Sequence, residues 1–160
     1  MKASDSTAAP EDGVAFARID PAGGERFQTL RRELGVRGFG INALVLQPGQ
    51  RGRVHRHERQ EEVYLVLEGE LTLVLEDSEH VLGRYELARV PPPARRQLVN
   101  AGTEPLVLLA LGGSGEHQGR DGRAWGSWEE QGEGRSPQEV PLPADLPPQR
   151  SGSATARTEG

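Results

Sequence analysis

The chain has 160 residues, a formal net charge of −5, no cysteine and a hydrophobic content of 34%. That length holds one compact core, the acidic balance argues against nucleic-acid and anionic-membrane partners, and the missing thiols exclude disulfides, iron–sulfur clusters, thiol-bound cofactors and a cysteine nucleophile. No run approaches the roughly 18 apolar residues of a membrane span, and residues 1–13 lack the apolar centre of a signal peptide, so a cytoplasmic protein is expected.

Residues 1–13 are small, polar and acidic, and are expected to form a disordered arm. The stretch 25–34 is the one helix candidate: Phe27, Leu30 and Leu34 share a face and Gly35 follows as a C-cap, although an N-terminal strand fits the same residues. An apolar run over 39–47 ends at the turn dipeptide Pro48-Gly49, an alternating run over 62–68 ends at Gly69, and Leu71, Leu73 and Leu75 alternate with Thr72 and Val74. Shorter strands are expected at 81–82, 87–90, 97–100 and 106–111, broken by Asp77-Ser78, by Pro91-Pro92-Pro93 and by Asn100-Ala101-Gly102. Strands at this spacing, without helical patterns between them, argue for an all-β sandwich or barrel.

Gly119 to Gly122 read as a turn, and Trp125 and Trp128 are expected to pack on the outside of the barrel or at a subunit contact. From 129 to 160 the chain is mostly Gly, Pro, Ser, Glu and Arg, with prolines at 141, 143, 147 and 148, and composition predicts a disordered tail. The domain expected between the two arms therefore spans 14–128.

The segment richest in chemistry lies between Gly49 and Gly69. Side chains two apart on a strand point to the same face, so His55 and His57 look one way and Arg56 the other. If the next strand returns alongside, Glu62 joins them. Two imidazoles and one carboxylate on one face form the facial set that suits Fe(II) and also accepts Mn, Ni, Cu or Zn.

The spacing Gly49, His55, His57, Glu62, Gly69 resembles the first motif of the cupin superfamily, written Gly, five residues, His-x-His, three or four residues, Glu, six residues, Gly. In the second motif the register is set by Pro91 and Asn100; counting from them, Tyr85 and Pro93 stand in place of glycines and Arg96 in place of the metal-binding His. The resemblance runs from about Val36 to Leu111. It implies an antiparallel jelly-roll β-barrel of the small single-domain type-2 kind, a homodimer, and a site in which His55, His57 and Glu62 are the metal ligands while Arg96 and Tyr64 face the ligand.

Arg96 divides the functional readings. Either it stands beside a three-ligand divalent ion (Fe, Mn, Ni or Zn) and holds a polar or anionic substrate of a dioxygenase- or isomerase-type enzyme, or it pairs with Glu62 in a metal-free module that only binds or senses a small molecule. A slip of one residue would exchange Arg95 and Arg96. His117 is a further candidate ligand at the barrel mouth, and His80 reads as a surface turn residue. No phosphate-binding glycine loop or serine-hydrolase elbow is present, so a nucleotide cofactor is not expected.

Overall fold

A computed structural model describes residues 13–113 and 121–148. The elements run β1 (Phe27–Gln28), α1 (Leu30–Leu34), β2 (Gly40–Leu46), β3 (Val54–His57), β4 (Glu61–Glu68), β5 (Leu71–Leu75), β6 (Glu79–Leu82), β7 (Leu87–Val90), β8 (Arg96–Val99), β9 (Leu106–Gly113) and β10 (Gly122–Trp125), followed by a 3-10 turn at Pro137–Glu139. They form two five-stranded antiparallel sheets, ordered β1-β2-β9-β4-β7 and β10-β3-β8-β5-β6. From β2 to β10 the chain crosses between the sheets at every step except β5 to β6, in the jelly-roll manner expected from the sequence. No helix among the described residues is long and apolar enough to cross a membrane.

The alternating runs decide which side faces in. Leu46, Tyr64, Val66, Leu71, Leu73, Leu82, Val90, Leu98, Leu106 and Leu108 meet between the sheets as one core. Their outward neighbours are covered differently on the two sides. On the first sheet α1 packs over β2 and buries Leu30. On the second, Trp125 and Trp128 lie outside β3 and β8: the Arg95 guanidinium stacks on both rings, at 4.5 and 5.1 Å, and the Trp128 indole N–H donates to Gln97 Oε1 at 3.0 Å. The tryptophans therefore pack on the outer surface.

Both glycines that frame the site segment hold a left-handed backbone, with φ of 85° at Gly49 and 75° at Gly69. At Gly69 a Cβ would also press into the Pro105 carbonyl oxygen. Gly35 caps α1 in the same conformation, and the candidate helix and the candidate strand each hold part of 25–34. Asn100, fully buried, ties the end of β2 to the turn before β9 by donating to the carbonyls of Leu46 and Glu104, each at 2.8 Å.

Composition predicts disorder from residue 129, yet 129–148 run as a strap along the outside of the second sheet. The Arg53 Nε donates to the Val140 carbonyl at 2.6 Å, Arg51 donates to the Ala144 carbonyl at 2.7 and 3.0 Å, and the Leu146 N–H reaches the Gly49 carbonyl at 2.7 Å. Val140 is buried. The strap is held mainly by its backbone donors and acceptors and by one apolar anchor, so its poor apolar content does not prevent docking. The expected arm over 1–12 and the end of the tail, 149–160, lie outside the described residues.

Gly69→Ala is expected to destabilise the barrel by about 2 kcal/mol or more, since left-handed strain of ~1–2 kcal/mol adds to a backbone clash. Urea unfolding of the two proteins measures it, and an unchanged midpoint contradicts the account.

Candidate functional site

Three strands place the chemistry. β3 carries His55 and His57 on its inward face, β8 pairs with β3 so that Arg96 stands beside His55, and β4 brings Glu62 and Tyr64 from the opposite sheet. His55, His57 and Glu62 each offer one ligand atom, and these atoms all lie within 4.8 Å of one another. The register also separates the two adjacent arginines: Arg96 points inward without exposed surface, and Arg95 points outward onto the tryptophans.

The Glu62 carboxylate is used unevenly. Its Oε2 accepts a short hydrogen bond from the Tyr64 hydroxyl and a bond of 3.1 Å from the Arg96 NH2, and it lies 3.6 Å from His55 Nε2. Its Oε1 is turned toward His57 Nε2, 3.2 Å away. Burial pushes the Glu62 carboxyl up, but the imidazoles of His55 and His57 more than reverse that and hold it well below the usual carboxylate range. Burial, together with the Glu62 charge, pushes the Tyr64 phenol well above its ordinary value, so it stays protonated and donates.

Arg96 is committed on every nitrogen. Nε donates to Tyr64 Oη at 3.3 Å, NH2 to Glu62, and NH1 to the carbonyls of Ala94 and Pro92 at 2.7 and 3.3 Å. A buried guanidinium pinned in this way holds Glu62 rather than reaching out to an incoming anion. Tyr64 likewise points its hydroxyl at Glu62.

The imidazoles fit a cation. His55 Nδ1 lies 3.0 Å from the Arg53 carbonyl, which can only accept, so Nδ1 carries the proton and the lone pair sits on Nε2 toward the site. Both ring nitrogens of His57 are buried and face only carboxylates, Nε2 at 3.2 Å from Glu62 Oε1 and Nδ1 at 3.9 Å from Asp121 Oδ2. The donor set of two imidazole nitrogens and one carboxylate oxygen suits the borderline divalent metals.

Two contributors escape sequence reading. Asp121, in the stretch that composition marks as a turn, is a buried carboxylate: it accepts the N–H groups of Arg59 and Gln60 at 2.9 and 2.8 Å, and its Oδ2 stands 3.9 Å from His57 Nδ1. It thereby shapes the β3–β4 turn that brings His57 to Glu62. Asn42, on β2, faces the interior with a buried, unpartnered Oδ1. His80 is exposed on β6 beside Ser78, and His117 lies outside the described residues.

The comparisons with known proteins bear on the family and the fold. The family described as "Cupin domain" matches residues 43–112. A sugar phosphate isomerase from a cupin superfamily, from Silicibacter pomeroyi, is 34% identical with a TM-score of 0.46, the match covering 48% of this chain and 51% of that one. A putative sugar phosphate isomerase from Acidithiobacillus ferrooxidans is 29% identical with a TM-score of 0.52, covering 59% of this chain and 60% of that one. An uncharacterised protein of Methanocaldococcus jannaschii is 26% identical over 65 residues, 41% of this chain and 52% of that one. The chain thus spans about half the length of the first relatives it matches.

Glu62→Gln in metal-free protein is expected to cost roughly 3 kcal/mol near neutral pH, because it strands the buried Arg96. A depressed carboxylate contributes stability that is complete above its unfolded pKa and lost as pH falls toward the folded one. The gap between wild type and variant should therefore persist at mildly acidic pH and close only below the ordinary carboxylate range. Chemical denaturation across a pH series reads it; a gap that closes at or above that range contradicts the assignment.

Proposed function

Residues 43–112 are a cupin domain, and from that premise we propose that the protein binds a small anionic, oxygen-rich compound of the sugar-phosphate class in its barrel, with a divalent ion on His55, His57 and Glu62. The observation that carries the reading is the convergence of those three ligand atoms within 4.8 Å. The substrate class rests on the similarity to the putative sugar phosphate isomerase from Acidithiobacillus ferrooxidans.

An ion bound there, whether Fe, Mn, Ni or Zn, supplies a Lewis acid for a carbonyl oxygen. The chain's own residues prepare the place for it. Tyr64 and Arg96 hold Glu62 Oε2 and leave Oε1 facing His57, while the Arg53 carbonyl keeps His55 in the tautomer that presents Nε2. Arg96 contributes to an anionic ligand through its fixed charge, and Tyr64 through the carboxylate it orients. Glu62, with Oε2 bonded to both Tyr64 and Arg96, is placed as a ligand rather than as a base.

A second reading, a metal-free binding or sensing module, is favoured by the closed Glu62–Arg96 pair at 3.1 Å. A divalent ion about 4 Å from the guanidinium meets roughly 8 kcal/mol of repulsion at an effective dielectric of ~20 before relaxation. Titration of Mn(II) and Zn(II) into untagged protein separates the two. Arg96→His, which removes the charge and adds a nitrogen, is expected to tighten metal binding at least about tenfold. No binding by either protein supports the metal-free module, and equal affinity in both shows that Arg96 does not oppose the ion.

We also carry a cytoplasmic homodimer as part of this proposal. The extended segment before β1 supports it, since Val14 and Phe16 are 81% and 88% exposed. Sedimentation equilibrium at micromolar concentration is expected to show the dimer, and Phe16→Ser to weaken it; a wild-type monomer removes the idea.

A further inference from the structure

We infer that Asn42 is a ligand-recognition residue of this barrel, its side-chain amide meeting a hydroxyl or carbonyl oxygen of the bound compound; the inference rests on the sugar-phosphate reading above. Asn42 pairs in register with Ala110, and Ala110 with Tyr64. The adjoining row toward the barrel end is Gly40, Gly112 and Glu62. Alternation along β2 puts Asn42 on the same inward face as Leu44 and Leu46, which pack in the core. A polar residue has been set where the pattern supplies leucines.

Its Oδ1 is buried and has no hydrogen-bond partner. An amide that capped a turn or tied two strands would show that bond, as Asn100 does with Leu46 and Glu104. Leaving an acceptor unpaired inside a barrel destabilises the fold, and a leucine there would remove the cost. Such a group persists at a site where a ligand completes it.

The surroundings set the size and chemistry of that ligand. Asn42 lies two strand spacings, about 10 Å, from β4, longer than a bare six-carbon chain and on the order of an extended sugar phosphate. In the row of Glu62, Gly40 and Gly112 carry no side chain, and beside Gly112 the buried Gln60 amide oxygen and the Glu62 side chain form the floor next to the carboxylate. A neutral amide can accept from a hydroxyl and donate to a carbonyl without adding negative charge beside Glu62. These features fit a polyhydroxylated anion held at one end by the His55, His57 and Glu62 group and read in its middle by Asn42.

The test uses the full chain loaded with Mn(II), with ribose 5-phosphate and glucose 6-phosphate as probes, read by calorimetric titration and thermal unfolding. Asn42→Leu is expected to leave the unliganded Tm unchanged or raised, to keep Mn(II) affinity, and to weaken the sugar phosphate that binds by about tenfold. Asn42→Ser, which retains a donor and acceptor, should recover part of that loss. An unliganded Tm lowered by more than about 4 °C in Asn42→Leu would mean the amide has a structural partner, and overturns the inference whatever binds. Sugar-phosphate affinity unchanged in Asn42→Leu overturns the inference alone. A wild type that binds Mn(II) but neither sugar phosphate removes the substrate-class reading and this inference with it.

Discussion

One carboxylate joins the two sheets of this barrel. Glu62 comes from β4 in the first sheet, Arg96 from β8 in the second, and Tyr64 bonds to both. Placing an ionised pair in a protein interior is nearly neutral at best, because desolvation offsets attraction, while removing one partner costs about 3–5 kcal/mol. The pair is therefore a poor source of stability and a strong constraint on geometry. It fixes which oxygen of Glu62 is occupied and which is turned to His57, and it fixes what an incoming cation must displace or tolerate.

That constraint explains how a site can resemble a metal centre on one side and a closed ion pair on the other. The guanidinium stands where the second motif places an imidazole, and its donors are satisfied by Tyr64, Glu62 and two carbonyls. Relaxation of Arg96 away from an ion would break those bonds inside the protein, where each lost partner is costly. His55 and His57 make no comparable set of bonds: each turns its Nε2 to the Glu62 carboxylate alone, at 3.6 and 3.2 Å. The balance between the enzyme and the binder thus lies in how far one buried arginine can yield.

Most of the barrel was legible because strands with one buried face must alternate. The runs at 39–47, 62–68, 71–75, 87–90 and 106–111 found their strands within a residue or two, and the two motif glycines were legible because the turns they form need a positive φ. β10 was not, since Gly122 to Trp125 follow a Gly-rich stretch that reads as a turn, and only pairing with β3 makes a strand of them. The strap over 129–148 was hidden for a different reason. It docks through its own carbonyl oxygens, which every sequence possesses, and the informative residues, Arg51 and Arg53, lie some ninety positions away. Among the site residues, the motif spacing named His55, His57, Glu62 and Arg96, whereas Asp121 acts through contacts that no local pattern encodes.

The strap also bears on the site. Arg53 uses its guanidinium to hold the Val140 carbonyl and its own carbonyl to hold the Nδ1 proton of His55. Gly122, paired with His57, leaves room for Pro137, whose ring lies 3.1 Å from where a Cβ would stand. Trp125 fills the opposite, outer face, with the Arg56 guanidinium 5.8 Å from its ring. A strand of four residues with ligands on one side has little rigidity of its own, so the fixed direction of its imidazoles comes from what packs against both of its faces. The polar, proline-rich tail, which contributes little to the core, is in this sense part of the support for the two histidines.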